Sequence, residues 1–250
     1  MEYITSRNNQ LIKHIRKLAA DRQYRRSSGL FFVEGPKLLA EALRAGAAVE
    51  AVVTAPGTGL PGLEGLRQVQ VPTDLLDSLC DTRSPQGVLF LARMPELAPP
   101  ERLTGDRWLI LDGLQDPGNV GTIWRAADAL GADGLILVGP CADPFSPKTV
   151  RATMGACFRL PVYETEASQL SGLLERSGLP LYAAALREDT ADLREADLSR
   201  CAVAIGSEGR GLSPQVLEMS RKTLKIPMRD RCESLNAAVA AAVILWEMAR

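Results

Sequence analysis

The last 25 residues place the strongest constraint on how this chain folds. They read IPMRDRCESLNAAVAAAVILWEMAR and end in the run Ala237–Ala249, which contains neither Gly nor Pro. The run is rich in Ala, Leu, Met and Glu, which are strong helix formers, so it predicts a helix. Because this helix is apolar on nearly all sides, we expect it to be buried.

The loop before this helix is unusually polar. Glu233, Ser234 and Asn236 lie where the first backbone N–H groups of the helix lack partners, so helix capping alone would account for them. Pro227 and two more polar residues share the loop, which is more polarity than one cap requires. The loop therefore has two possible interpretations, helix capping alone and a functional role.

The overall charge argues against a strongly basic nucleic-acid-binding protein, since the formal net charge is −1 and the pI is near 6.0. The first 26 residues differ from this average, because they contain seven cations against Glu2 and Asp21. The cations are Arg7, Lys13, Arg16, Lys17, Arg22, Arg25 and Arg26. We interpret them as an RNA-binding face that contacts phosphates, with a solvated helix surface as the alternative.

Cysteine and histidine spacing supports neither a zinc site nor a nucleophile–histidine pair. The five cysteines are scattered without CxxC spacing, and the single histidine is His14. Such cysteines are typical of a reducing compartment, and no apolar run reaches the roughly 18 residues that a membrane span needs. We therefore expect a soluble, cytoplasmic protein that has no bound metal and no membrane partner.

The first half of the chain predicts a small α/β domain. Apolar residues at Leu11, Ile12, Ile15 and Leu18 indicate an amphipathic helix with a basic back. The other predicted elements are strands at Leu30–Val33, Val49–Thr54, Val69–Val71 and Gly87–Ala92, and helices from Pro36 to Gly46 and over Asp74–Cys80, capped by Thr73. Three prolines and a glycine in Met94–Asp106 predict a linker, so the predicted domains are residues 1–98 and 99–250.

The second half alternates in the same way, which predicts a parallel sheet with ligand-binding loops at the carboxyl ends of its strands. The predicted strands are Trp108–Leu111, Leu135–Val138, Leu160–Tyr163, Pro180–Ala185, Cys201–Ile205 and Thr223–Ile226. The predicted helices are one that ends at Gly131, then Pro147–Ala156, Ala167–Ser177, Pro214–Met219 and the final helix.

Two further polar, glycine-rich loops follow apolar strands. In Gln115–Gly121, Asn119 is placed to cap the next helix, and Arg125 would then lie near the positive helix start, where it could meet a phosphate. An ordinary cap and a surface charge are the alternatives. In Gly206–Gly211, which includes Glu208, glycines permit close backbone approach to a ligand. This second loop has neither Walker A nor GxGxxG spacing.

The three loops resemble the three motifs of the SpoU branch of the SPOUT methyltransferases, the TrmH-type RNA ribose 2′-O-methyltransferases. The matching stretches are LDGLQDPGNVGTIWRAADALGADGLIL, IGSEGRGLS and the final 25 residues, so the resemblance spans essentially Leu109–Arg250. In the first half, ITSRNNQLIKHIRKL and FFVEGPKLLAEAL resemble the small L30e-like RNA-binding domain that often precedes this catalytic domain.

The resemblance implies an α/β fold with a trefoil knot and a parallel sheet, S-adenosylmethionine (SAM) as methyl donor, and a homodimer through the knotted domain. The implied cofactor-binding residues are Gly206, Ile226, Met228, Leu235 and Asn236. The implied catalytic residues around the reacting ribose are Asn119, Arg125, Glu208, Ser234 and Asn236. Ser207 and Asp230 depart from the Asn and Gly that are frequent at these motif positions, and Asp230 bears on substrate preference.

The implied reaction is in-line attack of a ribose 2′-hydroxyl on the SAM methyl group. Since guanidinium groups stay protonated in proteins, we interpret Arg125 as a residue that binds the neighbouring phosphate, and we leave open whether it also accepts the proton of the 2′-hydroxyl.

Ribosomal RNA is preferred over transfer RNA, because the long basic front domain resembles relatives that act on large ribosomal RNA. The alternatives are a tRNA methyltransferase and a catalytically silent RNA-binding ribosome assembly factor. A Rossmann-type oxidoreductase is disfavoured by the missing GxGxxG spacing.

Overall fold

The computed structural model describes residues 2–187, 190–207, 209–229 and 234–250. The strands, in chain order, are β1 (Glu2–Tyr3), β2 (Leu30–Glu34), β3 (Val49–Thr54), β4 (Gln68–Gln70), β5 (Val88–Arg93), β6 (Arg107–Asp112), β7 (Gly134–Val138), β8 (Val162–Thr165), β9 (Leu181–Ala184), β10 (Ala191–Asp192), β11 (Cys201–Gly206) and β12 (Lys222–Lys225). The α-helices are α1 (Gln10–Ala20), α2 (Arg22–Ser28), α3 (Pro36–Arg44), α4 (Thr73–Asp77), α5 (Pro117–Ala129), α6 (Pro147–Thr153), α7 (Ala167–Ser177), α8 (Pro214–Met219) and α9 (Ala237–Ala249).

The described residues divide into two compact units. The first comprises residues 2–95 and 143–158, and the second comprises residues 96–142 and 159–250. Residues 143–158 thus belong to the first unit, although they lie far beyond the linker predicted near Pro99. No helix in the described parts of the chain is long and apolar enough to cross a membrane.

The first unit is built on a five-stranded mixed sheet with the order β1-β4-β3-β5-β2. The predicted amphipathic helix is confirmed, since α1 buries Leu11, Ile12, Ile15 and Leu18. Helix α2 was not predicted, because its sequence RQYRRSS has no apolar stripe, and Asp21 starts it by accepting a hydrogen bond from the Tyr24 N–H. Thr73 was wrongly predicted as a cap, since α4 begins with Thr73 itself and Pro72 occupies the cap position.

Residues 143–158 complete the interior of the first unit. The Phe145 ring packs on Phe31 with centroids 4.7 Å apart, and both side chains are buried. Arg25 is only 3% exposed, and its Nε donates to the Asp143 carboxylate at 3.0 Å while its Nη1 donates to the Leu18 carbonyl. Burial of a charge is tolerated when it is paired in this way. A contact across 118 positions of sequence thus holds this segment in place.

The buried ion pair predicts a measurable loss of stability when Asp143 is neutralised. We expect Asp143→Asn to lower the free energy of unfolding by about 2 kcal/mol, because the buried Arg25 loses its charged partner. Urea denaturation followed by circular dichroism measures this. The matched control is Glu50→Gln, since the Arg93–Glu50 pair is exposed (66% and 41%) and exposed pairs contribute about 0–1 kcal/mol. Equal losses in the two variants would contradict the prediction.

The second unit confirms the predicted α/β class with a parallel sheet. Its seven strands have the order β10-β12-β9-β11-β6-β7-β8, and every neighbouring pair is parallel. Near-continuous apolar strands such as β6, β7 and β11 are buried, as expected for strands covered on both faces. The trefoil knot stays a prediction.

Candidate active site

The three polar loops leave the same edge of the parallel sheet. The first follows β6 and the second follows β11, which are hydrogen-bonded neighbours with Gly206 paired to Asp112 at their ends. The third follows β12, which is separated from β11 by β9. Because the carboxyl ends of parallel strands meet at one edge, this topology brings together loops that are about a hundred residues apart.

A cavity of about 350 Å³ lies between the second and third loops. Its walls include Gly206, Ile226, Met228 and Leu235, four of the five predicted cofactor-binding residues, together with Ser234. Other wall residues are mainly apolar and include Leu193, Ile205, Leu224, Ala237, Ala240 and Ile244. The size and the apolar lining with a few polar groups are typical of a small-molecule site. Asn236 is not among the residues that line it.

Gly206 is required by the packing of the second loop on itself. A Cβ on Gly206 would lie 2.1 Å from the Gly211 carbonyl carbon and 2.3 Å from the Leu212 nitrogen. Backbone bonds between Ser207 and Gly211, at 2.8 and 3.1 Å, close the loop against the strand end. The close approach at Gly206 is thus to the chain's own backbone, while approach of a ligand to the loop glycines stays a prediction.

Asn119 and Asn236 come together from two different loops. The Asn236 side chain caps α9 by accepting from the N–H groups of Ala238 and Val239, at 2.9 and 3.3 Å. Its Nδ2 donates to Asn119 Oδ1 at 3.2 Å. The capping role predicted for Asn119 is wrong, since Asp116 is the cap of α5 and accepts from the Asn119 N–H at 2.8 Å. The Asn119 side chain instead accepts the hydrogen bond from Asn236 and links the first loop to the third.

Arg125 lies on α5, six residues after Asn119 and roughly 9 Å further along the helix axis. Its side chain is exposed and forms no ion pair with any residue in the described ranges. An unpaired, exposed guanidinium can make two parallel hydrogen bonds to a phosphate. Glu208, the remaining predicted catalytic residue, lies outside the described residues.

Asp112 is a site residue that the sequence analysis missed. It is 5% exposed at the end of β6, and its Oδ2 accepts a 2.6 Å hydrogen bond from the Ser213 N–H. This bond ties the end of β6 to the residue that caps α8. The available signal was an acidic residue at the end of an apolar strand, where burial requires a partner.

Comparison with known proteins identifies the family. The model of the SpoU rRNA Methylase family matches residues 106–246, and that of the MRM3-like substrate binding domain matches residues 9–90. The chain belongs to the SpoU rRNA methylase family. The resemblance seen in the sequence is thereby confirmed.

Similar proteins of this family cover almost the whole chain. The chain is 32% identical to the 23S rRNA (guanosine(2553)-2′-O)-methyltransferase RlmP of Bacillus subtilis, over 99% of both proteins. It is also 32% identical to the 23S rRNA (uridine(2479)-2′-O)-methyltransferase of Streptomyces viridochromogenes, over 99% of this chain and 91% of the relative. The solved structure of AdoMet-bound rRNA methyltransferase from Sinorhizobium meliloti matches with a TM-score of 0.88 at 31% identity, over 99% of this chain and 97% of that chain.

Two buried cysteines of this SpoU family protein are unsuited to nucleophilic chemistry. Burial raises the pKa of Cys141 to about 11 and that of Cys201 to about 12, so both thiols stay protonated near neutral pH. Among the residues described, no group of three or more His, Cys, Asp or Glu side chains is arranged to hold a metal ion.

The predicted RNA-binding residues do not all reach the surface. Arg25 is buried against Asp143, so it stabilises the first unit and cannot meet RNA directly. Arg7 is exposed but pairs with Asp74 at 2.9 Å. The exposed members of the set are Arg7, Lys13, Arg16, Lys17, Arg22 and Arg26.

Helix α9 is only partly buried, contrary to the expectation from its composition. Its inner face contains Ala241, Ile244 and Leu245. Val239, Val243 and Trp246 form a second, outward stripe and are 50%, 37% and 67% exposed. These three apolar residues, which we term the α9 stripe, lie beside Asn119 and Asn236 in one shallow groove.

Proposed function

We propose that this protein transfers a methyl group from SAM to a ribose 2′-hydroxyl of ribosomal RNA in the cytoplasm. One observation carries the proposal: four residues that the family resemblance assigns to the cofactor line a single cavity, and Ser234 lies in the same wall. The relatives that support ribosomal RNA match this chain over 99% of its length, including the first unit.

The cavity fits SAM in its chemistry. Apolar walls from Ile205, Leu224 and Ile244 suit a purine ring, and the loop segments at Gly206 and Ile226–Met228 can offer backbone donors and acceptors to its edge. When bound, SAM supplies an electrophilic methyl group that needs no further activation. The protein therefore has mainly to position the acceptor ribose, and good orientation lowers a barrier by about 7–11 kcal/mol.

We assign this positioning to polar residues of the three loops and of α5. We assign Arg125 to the phosphate next to the acceptor ribose, where its charge also stabilises the oxygen that loses its proton. The Asn119–Asn236 pair fixes the relation between the first and third loops, and Ser234 orients the third loop at the cavity wall. Glu208 is assigned to the same group from its motif position alone.

Methyl transfer to RNA tests the proposed function. Total RNA from cells lacking the protein is incubated with protein and tritiated SAM, and the labelled nucleotide is mapped. We expect a 2′-O-methyl group at one position of ribosomal RNA. Label in transfer RNA would identify transfer RNA as the substrate instead. Absence of both label and SAM binding would favour a catalytically silent RNA-binding assembly factor.

The α9 stripe supports a homodimer, which the resemblance implies together with the knot. Exposed large apolar residues grouped on one face are typical of protein–protein interfaces. Since the stripe adjoins Asn119 and Asn236, a partner subunit on this face would lie close to the proposed acceptor site. The dimer would thereby complete the active site.

Trp246→Glu should convert the dimer into a monomer, because a carboxylate would have to be buried without a partner in the interface. Sedimentation equilibrium measures the dissociation constant, which should rise by at least about 100-fold. The control is Tyr3→Glu, since Tyr3 is similarly exposed (60%) but belongs to the first unit. A Trp246→Glu protein that stays dimeric would rule out this face.

A further inference from the structure

One face of α1 forms the floor of an open basin on the first unit. Gln10, Lys13, His14 and Lys17 follow the spacing i, i+3, i+4, i+7 and lie along one stripe of the helix. The opposite stripe is buried in the core. Together with Tyr24 from α2, the exposed stripe lines a basin of about 740 Å³.

The Tyr24 ring is held in a defined position at this basin. Its hydroxyl and His14 Nδ1 are 2.8 Å apart, and the two rings meet edge to face with centroids 5.4 Å apart. Asp21 also accepts a hydrogen bond from the Tyr24 N–H and fixes the start of α2. The Lys17 ammonium lies 5.2 Å from the centre of the Tyr24 ring, as in a cation–π contact.

Positive charge in the basin is only partly neutralised. Lys13 and Lys17 have no ion-pair partner within the described parts of the chain, whereas Arg67 at the rim pairs with Glu2 at 2.9 Å. Arg16 also lines the basin, and its Nη1 donates to the Arg7 carbonyl at 3.4 Å. Lys13 and Lys17 therefore line the same basin as an anchored aromatic ring.

We propose that this basin binds an unpaired nucleotide of the RNA, with its base against the Tyr24 ring and its flanking phosphates on Lys13 and Lys17. This inference rests on the proposed function, since it takes RNA as the substrate. Aromatic rings stack on bases that are free of their own stack, whereas duplex RNA is contacted mainly through phosphates and 2′-hydroxyls. A surface for duplex RNA alone would need the lysines but not the anchored ring. The basin thus recognises a loop or bulge.

The test measures binding of a short single-stranded oligoribonucleotide that contains 2-aminopurine, whose fluorescence is quenched by stacking, to the full-length protein. The same strand annealed to its complement serves as the duplex. We expect quenching and tighter binding with the single strand. Tyr24→Leu should weaken binding about 5- to 150-fold and remove the quenching, while Tyr24→Phe, which keeps the ring, should stay within about twofold of the wild type.

A matched pair of lysine variants tests the phosphate contacts. Lys17→Ala should reduce the slope of log affinity against log salt by about 0.7, whereas Lys37→Ala on α3 should leave it unchanged. Equal affinity for duplex and single strand, or quenching that persists in Tyr24→Leu, would overturn the inference. If the Tyr24→Leu variant does not fold, comparing the affinities of the wild type for single-stranded and duplex RNA still tests the inference. Methyl transfer by the wild type is scored separately, so the proposed function can hold while this inference fails.

Discussion

Arg125→Ala should reduce methyl transfer to RNA by about 10²- to 10³-fold while leaving SAM binding unchanged. Arg125 is exposed and does not line the cavity, so its removal should not disturb the cofactor. In the role proposed for Arg125, the variant loses the two parallel donors that would hold the phosphate beside the acceptor ribose and stabilise charge on the reacting oxygen. Single-turnover transfer of labelled methyl groups and calorimetric SAM binding measure the two effects separately.

Two further variants serve as controls for the Arg125→Ala prediction. Arg102→Ala removes an exposed arginine of the same unit and should retain full activity. Arg125→Lys keeps the charge but loses the planar fork, so its rate should fall between those of the wild type and the alanine variant. Full activity in Arg125→Ala would show that the phosphate clamp lies elsewhere. Loss of SAM binding in that variant would instead make Arg125 a structural residue.

Local periodicity was sufficient to predict the regular elements with strong patterns. The predicted bounds Ala167–Ser177, Pro214–Met219 and Ala237–Ala249 agree with α7, α8 and α9. Helix α2 was missed because it depends on the cap at Asp21 and on packing rather than on an apolar stripe. The position of residues 143–158 in the first unit could not be predicted either. It depends on contacts such as Arg25–Asp143, which join residues far apart in sequence.

The candidate site was predictable from motifs but not from residue patterns alone. Hydrophobic periodicity gives no reason to place Gly206 and Leu235 in one cavity, and only the order of the three loops suggested it. Composition was misleading for Arg25, because a basic residue within a basic segment was buried as an ion pair. The hydrogen-bond partners of Asp112 and Asp116 could be identified only in the folded structure.

Gly206→Ala should abolish SAM binding and lower the free energy of unfolding by about 3 kcal/mol. The added methyl group would lie 2.1–2.3 Å from backbone atoms of Gly211 and Leu212, and backbone cannot swing aside as a flexible side chain can. The second loop must therefore move away from the end of β11. Because Gly206, Ser207, Gly211 and Leu212 all line the proposed SAM cavity, this movement changes the shape of its wall.

Gly209→Ala is the matched control in the same loop. A Cβ at Gly209 meets no heavy atom of the described residues within 4 Å, so the substitution should change stability and SAM affinity little. Thermal unfolding with and without SAM separates the two effects, since a ligand raises stability only if it binds the folded state. If Gly206→Ala retained the SAM-induced stabilisation of the wild type, the cavity could not be the cofactor site. If Gly209→Ala also lost the SAM-induced stabilisation, contact of the ligand with this loop, rather than packing at Gly206, would account for the requirement for glycine at both positions.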